Sequence, residues 1–249
     1  MTGARGAAAS RLAFAASLVV LGAHALVTRH IGGVWGPVPG FVPVRTQAML
    51  PLPIGMLVVA CGLGLLWPRT APAAARVLLG WLVLWLVVAR LAEAAMAPAV
   101  AGYWSGCGET LVPAAAAWAL QARDDARGRV VARVMFGLAL LPFGLAHFIY
   151  LKETMSLVPA WLPAPRAWAM FTGAAYLAAA VALLTGVLVR LAATLAALQI
   201  AGFTALVWLP ILASGHADAS SWSEGVISLM LSAAAWVLAQ ALRPSASQA

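Results

Sequence analysis

The chain is written as long apolar runs separated by short breaks. Eight runs can be marked, at about 10–28, 48–67, 75–97, 105–122, 130–151, 167–186, 191–213 and 222–242. Each is close to the ~20 residues that a helix needs to cross ~30 Å of hydrocarbon. The ~10-residue alternating segments of a membrane barrel are absent. Backbone groups in lipid must bond internally, so each run is predicted to be helical throughout. The expected fold is therefore all-α, a polytopic transmembrane protein of about eight helices. The least typical span is 105–122, which is short and carries Glu109 near its start.

The breaks have a chemistry of their own. Gly36-Pro37-Val38-Pro39-Gly40 and the stretch from Pro159 to Pro165 cannot continue a helix, because proline lacks the donor and clashes with the preceding turn. The most polar stretch is 121–129, with Arg123, Asp124, Asp125, Arg127 and Arg129. It reads as a linker between halves.

Those halves match segment by segment. Arg11-Leu-Ala-Phe14 parallels Arg133-Val-Met-Phe136, and Gly22 parallels Gly144. His24 and His147 follow these glycines, one residue out of register. Val38 to Pro43 parallels Val158 to Pro163, and Ile54-Gly55 parallels Thr172-Gly173. Trp104-Ser105 recurs as Trp222-Ser223, and Ala115-Ala-Ala-Trp118 recurs as Ala233-Ala-Ala-Trp236. Alanine matches carry little weight, whereas Trp, Pro, His and Ser in one order carry more. The pattern predicts two four-helix bundles, residues 1–122 and 130–249, joined by 123–129. Four spans per copy is an even number, so both copies insert with one orientation, as a parallel repeat.

Composition agrees with the span pattern. Hydrophobic residues make up 64% of the chain and charged residues 9%, against about 45–50% and about 25% in soluble domains. The net charge of +8 comes from basic residues scattered singly at the ends of runs. No basic patch with interleaved aromatics is present, which argues for lipid and against nucleic acid as the partner. Counted by side, most arginines fall with the N-terminus, so both termini are expected in the cytoplasm of a bacterial inner membrane. The proline-rich breaks then face outward. Trp35, Trp104, Trp161 and Trp222 fall near that outer boundary as interfacial anchors. Arg5 and Arg11 before the first run resemble a signal peptide, but the run is long and is read as an uncleaved helix. Cys61 and Cys107 form no C-x-x-C, hence neither a redox nor a zinc spacing.

At Gly144-Leu-Ala-His147-Phe148, then Val158-Pro-Ala-Trp-Leu-Pro163 and Thr172-Gly173, the second half resembles the DoxX family of small bacterial membrane proteins. The resemblance is good over about 133–242 and extends weakly to 11–120 through the repeat. It implies a four-helix membrane unit. It further implies, as an expectation, an accessory or quinone-associated subunit of a membrane redox system, with quinone as the cofactor class and a redox protein as partner. Members often carry a Glu one turn after the glycine of the second helix. Here those positions hold Val58 and Tyr176, which counts against a proton-linked role for that acid.

Ionisable residues inside spans are expensive and are functional candidates by default. His24 and His147 come first. They read as hydrogen-bond partners for a quinone or lipid, as paired haem ligands, or as histidines satisfied by a neighbouring helix. The one-residue slip rotates one of them by about 100°, which counts against symmetric haem ligation. Arg90 and Glu93 lie three apart on one helix face and can pair. With Glu109 and Arg45 they outline a polar outer pocket in the first bundle, or a structural ion pair. Tyr176 completes the candidate ligand-binding set. Gln199, with Thr194 and Thr204, reads as interhelical hydrogen bonding. No phosphate loop, nucleophile elbow, H-E-x-x-H or paired catalytic carboxylate occurs, so an enzyme is not expected. Two further classes remain: a transporter or binding protein for a small apolar molecule or lipid, and a scaffold for a partner protein.

Overall fold

The computed structural model describes residues 2–29, 42–122 and 125–242. Trp35, the 36–40 break, Arg123, Asp124 and Arg243 lie outside these residues. Among the described residues there is no strand, and eight long helices account for the fold. They are α1 (Thr2–Thr28), α2 (Val44–Leu66), α3 (Ala71–Met96), α4 (Ala101–Ala122), α5 (Ala126–Ile149), α6 (Pro165–Thr185), α7 (Val189–Ala213) and α8 (Ala219–Ala241). Seven of them are long and apolar enough to cross a membrane. The other, α4, is 22 residues long with half its positions buried. The protein is an all-α, polytopic integral membrane protein. A short helix, Leu151–Ser156, lies between α5 and α6.

Local chemistry sets the boundaries. Prolines open α6 and the main part of α2, where a missing N–H costs nothing. Asp125 caps α5 by accepting from the amides of Arg127 and Gly128. Asp218 caps α8 by accepting from the Ser221 amide at 2.7 Å, and that bond holds its carboxyl below the usual range. Gly186 ends α6 at φ +83°, a left-handed conformation that favours glycine. The connections α2–α3, α3–α4, α4–α5, α6–α7 and α7–α8 are a few residues long, which makes those neighbours antiparallel.

The halves correspond in detail. Helices α3 and α7 each contain one π-helical segment, Leu86–Arg90 and Thr204–Trp208, at equivalent positions. Where α1 crosses α2, Gly22 meets Gly55. A Cβ on Gly22 would lie 2.7 Å from the Gly55 carbonyl oxygen, and one on Gly55 3.0 Å from that of Gly22. Gly144 and Gly173 repeat the crossing between α5 and α6, at 2.9 and 3.2 Å. Without lipid-excluded hydrophobic drive, such close approach is what holds membrane helices together. The Arg11 guanidinium donates to the carbonyls of Leu65 and Leu66 at the end of α2, where the helix dipole favours a cation. The Arg133 guanidinium likewise lies against Gly186 at the end of α6.

The two sets of four helices interlock. Helix α1 packs on α2 and then on α8, while α5 packs on α6 and on α4. Helices α4 and α8 meet each other at the centre. The first helix of each half therefore rests on the last helix of the other. A single buried core runs through both halves, from Phe14 and Leu18 of α1 to Phe136 and Leu140 of α5. The polyalanine stretches Ala114–Ala117 and Ala233–Ala235, nearly all fully buried, let α4 and α8 occupy its middle.

Candidate functional site

The site forms where α4 and α8 leave room beside α5, α6 and α7. Two cavities adjoin there, of about 380 and about 540 Å³. His147, Thr154, Leu157, Tyr176 and Phe203 line both and so form their common wall. The smaller cavity is bounded by Glu109 and Ser105 of α4 and Glu224 and Ser228 of α8. The larger is apolar. Pro159, Trp161 and Leu162 of the proline-rich loop cover it, with Trp168, Phe171, Leu198 and Leu206 on its sides.

Each polar group is placed by its helix. His147 stands in the last turn of α5, three residues after Gly144. Its ring packs edge-on against Tyr176, with centroids 5.4 Å apart. Its Nδ1 lies 2.7 Å from the Phe143 carbonyl oxygen. A carbonyl only accepts, so Nδ1 carries the proton and Nε2 presents a lone pair. Tyr176 is 7% exposed, stacked edge-on with Phe143 as well, and its hydroxyl pairs with Gln199. Gln199 also donates to the Thr172 carbonyl at 2.9 Å, tying α7 to α6 beside the larger cavity. Thr204 binds the hydroxyls of Ser228 and Ser232 at 2.7 Å each, tying α7 to α8 behind the smaller one.

The charged residues lie toward α4. Arg90 donates to Glu93 at 3.3 Å, and both side chains are buried. Arg90 sits at the end of its π segment, with its guanidinium packed against Gly106. Glu109 is in electrostatic range of both Arg90 and Glu224.

The predicted residues thus separate into two groups. His147, Tyr176 and Glu109 come together at one chamber, with the Arg90–Glu93 pair behind it. His24 does not join them. Its Nε2 lies 3.1 Å from Ser223 Oγ of α8, a helix–helix hydrogen bond. The histidines therefore have different partners, and the paired haem arrangement is not formed. The polar outer pocket expected within the first bundle is corrected as well. Glu109 opens onto a cavity walled mostly by α5, α7 and α8, because α5 of the second half packs on α4 of the first.

Glu224 also lines this chamber, and sequence reasoning passed over it. Its signal was present, since an acid at the sixth position of a membrane-length helix is costly in the same way as Glu109. Phe143, Phe203 and Trp208 carried no such signal, because aromatic residues in spans are ordinary. Among the described residues, no group of three His, Cys, Asp or Glu side chains is placed to hold a metal ion.

A family model described as a domain of unknown function (DUF8561) matches residues 136–242. That segment runs from within α5 to the end of α8. It contains His147, Tyr176, Gln199 and Glu224, and leaves Glu109 outside. No curated protein and no solved structure matches the chain.

Proposed function

We propose that this chain is a DoxX-like protein of the bacterial inner membrane, made of two related four-helix units with both termini in the cytoplasm. Its role is to bind a small, mostly apolar molecule with a polar head. The observation that carries this reading is the pair of adjoining cavities sharing the His147–Tyr176 wall. Their volumes fall in the range of small-molecule sites, which are apolar with a few placed polar groups. The larger cavity is flanked by Phe171 (63% exposed), Leu198 and Leu206, exposed side chains within membrane-length helices. Such exposure turns its mouth toward lipid, the phase in which an apolar ligand is dissolved. The matching glycine crossings and π segments support the view that one unit was duplicated.

A quinone is the ligand class that the DoxX resemblance adds. The His147 Nε2 lone pair could accept from a quinol hydroxyl, and the Tyr176 hydroxyl could donate to a quinone carbonyl. The test is purification from native membranes followed by mass analysis of bound small molecules. Titration with a short-chain benzoquinone, read by tryptophan quenching from Trp161, Trp168 and Trp208, follows. Binding should weaken about tenfold in His147→Leu, the size of one lost buried hydrogen bond. Absence of any bound molecule, together with equal quenching in wild type and variant, would sink the reading.

A further inference from the structure

The smaller cavity has a composition that an uncharged ligand does not explain. Three carboxylates line it, from Glu109, Glu153 and Glu224. Five aromatic rings line it too, from Phe143, Tyr150, Tyr176, Phe203 and Trp208. The cation in electrostatic range of both Glu109 and Glu224 is Arg90, which is engaged with Glu93. Among the described residues, neither Glu109 nor Glu224 has a hydrogen bond or an ion pair. One guanidinium therefore stands among Glu93, Glu109 and Glu224. A carboxyl group buried in this way either keeps its proton or is balanced by a cation that enters the chamber, and a bound cation would favour the ionised form.

The other groups say what kind of cation this is. A small metal ion needs several close oxygen ligands in place of its water, and among the described residues no such cluster is formed. Aromatic faces instead suit an organic ammonium, whose weakly hydrated charge is attracted to ring quadrupoles. The His147 Nε2 lone pair adds one more acceptor and no donor on that side. Beyond the shared wall the larger cavity is apolar, sized for a ring or a short chain. The π segment of α7 supplies Leu206 and Val207 to one cavity and Trp208 to the other. Such segments within α-helices are frequently functional.

We infer that the chamber binds a lipophilic organic cation, with its ammonium head between Glu109, Glu224 and the aromatic rings and its apolar body in the larger cavity. This rests on the chamber being a ligand site, as proposed above, and names the class of ligand. It makes the protein a binding or transport component for amphipathic amines reached from the lipid.

The test uses the full chain in nanodiscs and two probes of one shape, phenylhexyl-trimethylammonium and its uncharged tert-butyl isostere. The wild-type protein should bind the cation about tenfold more tightly than the isostere, as cation–aromatic and charge-assisted contacts require. The double variant Glu109→Gln/Glu224→Gln should lose that advantage and bind the isostere as before. Equal affinity for both probes in the wild type overturns the inference while leaving the chamber as a site for neutral ligands. Cation binding that survives the double substitution overturns it too. Failure of both probes to bind removes the chamber itself as a ligand site. The wild-type comparison decides the matter even if the double variant does not fold.

Discussion

Two corners of this molecule start from the same parts and end differently. At the C-terminal end of α1, Gly22 crosses Gly55 and a histidine follows. At the C-terminal end of α5, Gly144 crosses Gly173 and a histidine follows. In the first corner His24 reaches Ser223, and its ring is spent on joining α1 to α8. In the second, His147 turns Nδ1 back onto its own helix at Phe143 and leaves Nε2 facing a chamber. One turn beyond the second-helix glycine, Val58 is a core residue at 1% exposure, while Tyr176 lines two cavities. The helix crossing is thus the shared frame. The one-residue slip of the histidine and the exchange of valine for tyrosine separate a structural corner from a site.

The widest break in the comparison would come from the crossings themselves. Gly22→Ala and Gly144→Ala each place a Cβ within 3 Å of a facing carbonyl oxygen. Both should cost about 1–3 kcal/mol, the usual range for overpacking, with similar losses in the two halves. Thermal unfolding in detergent reads this, and a loss confined to one half would show that the crossings are not equivalent.

Next comes Tyr176→Val, which gives the second corner the residue of the first. Affinity for a neutral aromatic probe should fall about tenfold, or 1.4 kcal/mol. Isothermal titration would check it, and unchanged affinity would remove Tyr176 from the site. The histidines then sharpen the contrast. His24→Leu should lower stability by about 0.6 kcal/mol, the average of an interhelical membrane hydrogen bond, with probe affinity retained. His147→Leu should do the reverse, and matching phenotypes for the two would dissolve the distinction drawn here.

An effect of the same small size is expected at Thr204. Replacing it by Val removes the bonds to Ser228 and Ser232 behind the chamber. The loss should again be about 0.6 kcal/mol, and at most about 1.7 kcal/mol. Unfolding midpoints of the Thr204→Val and Ser232→Ala single and double variants would measure the coupling. Full additivity would mean that the two side chains act independently.

The sequence announces its spans because each apolar run must satisfy its own backbone in lipid, and the eight runs became α1 to α8 within about four residues, except that α1 begins at Thr2, well before the run marked from residue 10. Arg90 and Glu93 were legible as a pair, since a three-residue spacing puts them on one helix face. Glu109 was legible as costly, but its direction was not. Which helix a residue meets depends on long-range packing: α5 follows α4 directly in the chain, but α8, which brings Glu224 to the same cavity, comes from the far end of the sequence. The π segments left no mark in the hydropathy pattern, as one extra residue in a turn changes no residue's polarity.

Length and polarity of the runs therefore determined that this chain is a bundle of membrane helices, with glycines where pairs of helices cross. Tertiary structure decided that the two sets of four exchange their first helices, because α1 rests on α8 and α5 on α4. That exchange brings the acids of α4 and α8 to the histidine of α5. Backbone hydrogen bonding in lipid is local and readable residue by residue. The meeting of Glu109, Glu224, His147 and Tyr176 depends on how four separate helices pack, which no stretch of sequence encodes alone.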